Sequence, residues 1–204
     1  MADSDLPLPP GARRIALAGQ APDDKLIVIG IETPRPTLRE AARLSSRNVA
    51  RVVLGAILGC RPDAVALRSD PGQPLRLARP AAPIGLSLSH ESGLSLLAIN
   101  LQGAVGVDLM RVEDQFDWTS DWQPVARDYF GPDLSMAIGN APAARRQALF
   151  AEQWSALEAS LKCQGLSLSE WDAARDRDLR RCRTIALELP ANMVGTLALL
   201  DPVQ

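Results

Sequence analysis

Apolar and polar positions change period several times along the chain, and each change marks an element. Lys25 to Glu32 reads KLIVIGIE, a β-rich run of strand length, closed by the Pro34-Arg35-Pro36 that follows. Pro36 suits the first turn of a helix, and from Thr37 to about Leu58 the residues Leu38, Ala41, Ala42, Val49, Val52, Val53 and Ile57 recur at helical spacing. The opposite face of that helix carries Arg39, Arg43, Arg47 and Arg51, each four residues from the last. Like charges at this spacing disfavour a helix slightly, so the stripe suits either plain solvent or an anion.

Asp63 to Arg68 reads as a short strand, followed by a dense turn signal from Ser69 to Pro74. Ile84 to His90 alternates apolar and small polar residues, Glu91-Ser92-Gly93 turns the chain, and Leu94 to Leu101 returns. Gln102-Gly103 turns it again, into a third strand from Ala104 to Met110. This pattern predicts an antiparallel meander in one sheet. Further on, Pro124 to Phe130 reads as a short helix, separated by Gly131-Pro132-Asp133 from another. A long amphipathic helix follows from Pro142 to about Gln164, with Phe150, Trp154, Leu157 and Leu161 on one stripe and Gly165 as its stop. Thr184 to Leu189 and Val194 to Leu200 form a closing hairpin.

The layout repeats itself loosely after a flexible segment 1–24, with strand, long helix and strands in residues 25–103 and strand, long helix and hairpin in residues 104–204, but without self-similarity strong enough to prove duplication. At 204 residues and 47% apolar, the chain has enough material for a substantial core. A net charge of −2 argues against general nucleic-acid binding. Cys60, Cys163 and Cys182 are odd in number and widely spaced, which fits neither a disulfide framework nor a thiolate metal site and suggests a reducing, cytoplasmic setting. No stretch approaches the ~20 apolar residues of a membrane span.

Candidate chemistry begins at Gly106-Val107-Asp108-Leu109-Met110, where one carboxylate sits among apolar neighbours. A buried carboxylate loses several kcal/mol of solvation, roughly, unless a cation, a metal or hydrogen-bond donors compensate. His90, the one histidine in the chain, sits at a strand end, where such a residue is usually structural. Glu158 and Lys162 lie one helical turn apart, a pairing that in isolation is usually a surface ion pair. Phe116, Trp118 and Trp122, in a polar stretch, either anchor a partner or close a core.

Taken together, Leu86-Ser87-Leu88-Ser89-His90, Gly106 to Met110, and Trp154-Ser155-Ala156-Leu157-Glu158-Ala159-Ser160-Leu161-Lys162 resemble the ordered signatures of the 4′-phosphopantetheinyl transferases, in the larger monomeric type. The resemblance implies a pseudo-twofold α+β fold with one site between the halves, which binds coenzyme A and Mg²⁺. It implies transfer of the phosphopantetheine arm to a serine of an acyl or peptidyl carrier protein of fatty-acid, polyketide or peptide assembly, releasing 3′,5′-ADP. Asp108 and Glu158 would hold the metal, Ser89 and His90 would touch the coenzyme A phosphates, and Lys162 would steady the transferred phosphate. The aromatic residues Phe116, Trp118 and Trp122 would flank the carrier protein. A monomer is expected, with no nucleic-acid or membrane partner.

Four positions depart from the family pattern. Met110 replaces a second carboxylate and is a poor ligand for Mg²⁺. Leu157 replaces a lysine, Gln73 replaces the lysine of a glycine-lysine-proline turn, and Glu91 replaces a small residue after His90. Arg47 and Arg51 are the expected compensating cations, with Gln73 still beside coenzyme A. Two readings remain: a working transferase, and a weakened or non-catalytic relative that binds a carrier protein or coenzyme A.

Overall fold

The computed structural model describes residues 6–20, 25–34, 39–69, 74–112 and 122–200. In chain order its strands are β1 (Ala12–Arg14), β2 (Leu26–Glu32), β3 (Ala66–Arg68), β4 (Arg76–Arg79), β5 (Gly85–Glu91), β6 (Leu94–Asn100), β7 (Val105–Arg111), β8 (Cys182–Ala186) and β9 (Met193–Leu200). The helices are α1 (Arg39–Leu58), α2 (Trp122–Asn140), α3 (Ala143–Gln164) and α4 (Ala173–Leu179). The strands form a six-stranded sheet in the order β1-β2-β6-β5-β4-β3 and a three-stranded sheet in the order β7-β9-β8, every pairing antiparallel. The fold class is α+β, as the resemblance implies. Among the described residues no helix is long and apolar enough to cross a membrane.

The sequence of β2, LIVIGIE, does not alternate because the strand is covered on both faces. Ile27, Ile29 and Ile31 pack with Val49, Ala50, Val53 and Leu54 of α1. Leu26 and Val28 pack instead with Val107, Leu109 and Leu197 of the second sheet. β6 divides in the same way, Leu97 and Ile99 towards α1, Leu94, Leu96 and Ala98 towards the second sheet. The layers therefore run α1, six-stranded sheet, three-stranded sheet, α3. Burying a Leu or Ile side chain contributes about 1.5–3 kcal/mol, so the fully buried Ile29, Leu96, Leu97, Ile99 and Leu197 are major sources of stability.

The expected meander of residues 84–110 in one sheet is corrected. β6 is bonded along one edge to β2 and along the other to β5, which leaves it no edge for β7. After the Gln102-Gly103 turn the chain crosses to the second sheet, where β7 pairs with β9, Asp108 opposite Thr196. The stretch 1–24, expected to be loose, contains β1, which pairs with Ile29–Ile31 and leads into the buried Ile15 and Leu17. Residues 62–64 form a 3-10 turn, and the strand expected from Asp63 begins only at Ala66.

Two glycines shape the second half. Gly131 holds φ at 78° inside α2 and, ahead of Pro132, breaks it into two pieces as the Gly-Pro pair predicts. A Cβ on Gly106 would lie 1.9 Å from the carbonyl oxygen of Ala159, so only a glycine lets α3 lie this close to β7. α3 ends at Gly165, whose left-handed backbone returns its N–H to Leu161 and Lys162, while Leu166 N–H reaches the Leu161 carbonyl at 2.9 Å. That cap fixes the last turn of α3, which carries Lys162.

Candidate functional site

Asp108 sits in the middle of β7 on the face turned to α3 and is buried. Its Oδ1 accepts two hydrogen bonds, one from Lys162 Nζ of α3 at 2.6 Å and one from Ser89 Oγ of β5 at 2.9 Å. Lys162 Nζ also donates to the Val107 carbonyl at 3.3 Å and lies 3.4 Å from Ser89 Oγ. The buried carboxylate is therefore compensated by a cation and a hydroxyl donor. Its backbone carbonyl accepts from Ser155 Oγ at 3.3 Å, which ties β7 to the middle of α3.

The two sheets meet at this point through side chains. Ser87 Oγ accepts the N–H of Val107 at 3.0 Å, and Ser89 Oγ accepts the N–H of Leu109 at 3.1 Å. Two residues apart on one face of β5, the serines take the place of a partner strand for β7. The Leu-Ser-Leu-Ser alternation carried that signal, since it puts both hydroxyls on the face away from Leu86 and Leu88. Ser87 was not singled out from the sequence. Arg111 was also missed: buried at the end of β7, it donates from Nη2 to the Ser92 carbonyl at 2.7 Å and so clasps the β5–β6 turn.

Glu158, one turn before Lys162, is the second carboxylate. Burial raises its pKa above the ordinary value and the charge of Asp108 raises it further, with Lys162 opposing. Glu91, on the same face of β5 as Ser89, is also raised by burial, with the Ser92 backbone and Arg111 opposing and Asp108 adding to the rise. Among the described residues no group of three or more His, Cys, Asp or Glu side chains is placed to hold a metal ion; Asp108 and Glu158 are a pair. Met110, on the Asp108 face of β7, is buried against Trp122, Phe130 and Phe150, and Leu157 packs on the same cluster. The two departures at 110 and 157 thus share one apolar cluster.

Asp108, Ser89, Lys162 and Glu158 are brought together; among the described residues, His90, Arg47, Arg51 and Trp122 do not join them. His90 pairs across the strands with Ser95 and bonds it through Nδ1 at 2.8 Å, on the α1 face of the sheet. Arg47 and Arg51 belong to α1 on that same side, Arg51 donating to Asn48 Oδ1 at 3.2 Å. The six-stranded sheet lies between these arginines and Asp108. Gln73 lies outside the described residues, as do Phe116 and Trp118. Trp122, expected to flank a partner, is corrected: it is buried in the cluster under α2, with the Arg146 guanidinium 5.3 Å from its ring centroid.

The family profile of the 4′-phosphopantetheinyl transferase superfamily matches residues 104–196, the stretch that supplies Asp108, Glu158 and Lys162. Over 124 residues the chain is 32% identical to the 4′-phosphopantetheinyl transferase HetI of Nostoc sp., an alignment that covers 59% of this chain and 50% of that protein. Over 127 residues it is 25% identical to the putative 4′-phosphopantetheinyl transferase slr0495 of Synechocystis sp., covering 62% of this chain and 50% of that one. The matched segment spans about half the length of each of these curated relatives. The transferase-superfamily segment begins at the strand that carries Asp108 and contains all of α3; Ser89 and His90 lie before it.

Proposed function

We propose that this chain transfers the 4′-phosphopantetheine arm of coenzyme A to a serine of an acyl or peptidyl carrier protein, releasing 3′,5′-ADP, with Mg²⁺ as cofactor. The observation that carries the reading is the pairing of Asp108 with Glu158 beside Lys162, within a segment that matches a transferase superfamily. The donor set fits a hard divalent ion. Mg²⁺ commonly keeps several waters and takes one or two protein carboxylates, and Asp108 already holds a cationic group on Oδ1. Asp108 and Glu158 would hold the ion, whose chemistry is to neutralise and align a pyrophosphate.

Each residue then has a task. Lys162 supplies positive charge to the transferred phosphate. Glu158, ionised, accepts the proton of the incoming serine hydroxyl, and the serine oxygen attacks the phosphorus of the arm as the bond to 3′,5′-ADP breaks. His90, Arg47 and Arg51 are proposed contacts for the nucleotide phosphates from the α1 side, and Gln73 is a further proposed contact for coenzyme A. The functional unit is proposed to be a cytoplasmic monomer built of two α+β halves, residues 25–103 and 104–204, with no nucleic-acid or membrane partner.

Met110 favours a second reading, a non-catalytic relative that binds coenzyme A or a carrier protein, because it packs into a core where the family pattern has a carboxylate. The test incubates apo acyl and peptidyl carrier proteins with coenzyme A and Mg²⁺ and reads intact mass. A phosphopantetheine adduct is expected. Its absence from every carrier protein, with coenzyme A still bound in a titration, would establish the second reading instead.

A further inference from the structure

We propose that Ser89 is a positioning residue, whose side-chain hydroxyl aims Asp108 at the metal instead of contacting the phosphates of coenzyme A. The inference rests on the proposed function for the identity of the ligand. Its ground is the use of one hydroxyl group. A serine hydroxyl has a single proton to donate and two lone pairs to accept with. Ser89 Oγ gives its proton to Asp108 Oδ1 at 2.9 Å and accepts the N–H of Leu109 at 3.1 Å, with Lys162 Nζ at 3.4 Å on its remaining side.

A phosphate oxygen accepts and does not donate, so this hydroxyl could serve it only by releasing Asp108. Release is opposed by burial, since Ser89 is 6% exposed and Asp108 7% exposed, and a lone pair left unmet in that setting is costly. Ser89 also lies on the sheet face turned towards β7, opposite to the face of His90. The serine therefore acts through Asp108. It holds Oδ1 in place and leaves Oδ2 to be aimed by the same constraint.

Ser87 supplies an internal control. It bonds the Val107 N–H as Ser89 bonds that of Leu109, but its hydroxyl is not bonded to Asp108. Removing either hydroxyl strips β7 of one equivalent backbone partner; only Ser89 touches the carboxylate. A purely structural role predicts the same outcome for Ser87→Ala and Ser89→Ala, and a positioning role predicts different ones.

The experiment measures coenzyme A affinity of the full chain by calorimetry, once in Mg²⁺ and once in EDTA. The wild type is expected to bind more tightly in Mg²⁺. Ser89→Ala is expected to match the wild type in EDTA and to lose about 10–100-fold of the gain that Mg²⁺ confers. Ser87→Ala should match the wild type in both buffers. Ser89→Cys, nearly the same size with a weaker donor, repeats the test if the alanine variant does not fold. Equal losses in EDTA and Mg²⁺ would restore Ser89 as a phosphate contact and overturn the proposal. So would an undiminished Mg²⁺ gain in the variants. A wild type that binds no coenzyme A, or gains nothing from Mg²⁺, would defeat the functional reading together with the proposal.

Discussion

Glu158 carries its two burdens in opposite directions. Its carboxyl ordinarily titrates near 4.5, and burial together with Asp108 raises that value in the folded protein. A raised acid holds its proton longer in the native state, so its contribution to stability is full below about 4.5 and is lost as pH rises through the folded value. Glu158→Gln removes this loss. The variant is expected to melt higher than the wild type at pH 8 in EDTA, with the difference shrinking towards pH 4, while phosphopantetheine transfer falls by about 10²–10⁴-fold. Thermal melts at both pH values and intact-mass kinetics check the two halves of the prediction. A melting difference that grows towards acid would contradict the burial of a charged Glu158. Glu158 and Lys162 were legible in the sequence as a pair on one turn and Asp108 as a carboxylate among apolar residues. That Asp108 and Lys162 bond each other was not, because 54 residues separate them and no local rule joins a strand to a later helix. The roles of Ser87 and Arg111 were legible only in part: the alternation puts the Ser87 hydroxyl on the face away from Leu86 and Leu88, but does not say which backbone group it meets.

Among the elements, β7 and α3 make the site, and both were placed from sequence with nearly the observed bounds. What the pattern could not show was the partner of β7, since hydrophobic alternation marks a strand without saying which edge is vacant. The close approach of the two elements depends on Gly106. In Gly106→Ala the new methyl would meet the Ala159 carbonyl, forcing α3 away from β7. A loss of roughly 1–3 kcal/mol in urea unfolding is expected, together with weaker Mg²⁺-dependent binding as Glu158 and Lys162 withdraw from Asp108. The two departures, at 110 and 157, meet in the apolar cluster beneath α2. Met110 and Leu157 share it with Trp122, Phe130 and Phe150, and Phe150 and Trp154 stack with centroids 6.0 Å apart. Restoring one charge alone, in Met110→Glu or Leu157→Lys, sets it against an apolar cluster; the double variant sets opposite charges on the same cluster. A double-mutant cycle on unfolding free energy is expected to show favourable coupling of more than about 0.5 kcal/mol, whereas simple additivity would show that the sites are independent.

At the scale of the whole molecule, the two sheets press their apolar faces together and leave the polar chemistry at one end of β5. The α+β class was implied by the family resemblance, but not the partition the six-stranded sheet imposes. His90 follows Ser89 in the chain and was expected beside it, yet alternation sends consecutive strand residues to opposite faces. The consequence concerns the shape of any ligand. A molecule that engages both His90 and the Asp108 cluster has to reach both faces of the six-stranded sheet, as a saddle fits a ridge. Inorganic pyrophosphate is too short to straddle that ridge, whereas a nucleotide with a long arm can. His90→Ala is therefore expected to leave pyrophosphate binding unchanged and to weaken that of coenzyme A, a contrast two titrations would reveal. Equal weakening of both would mean that the ligand sits on one side of the ridge, and the molecule would be a cleft rather than a saddle.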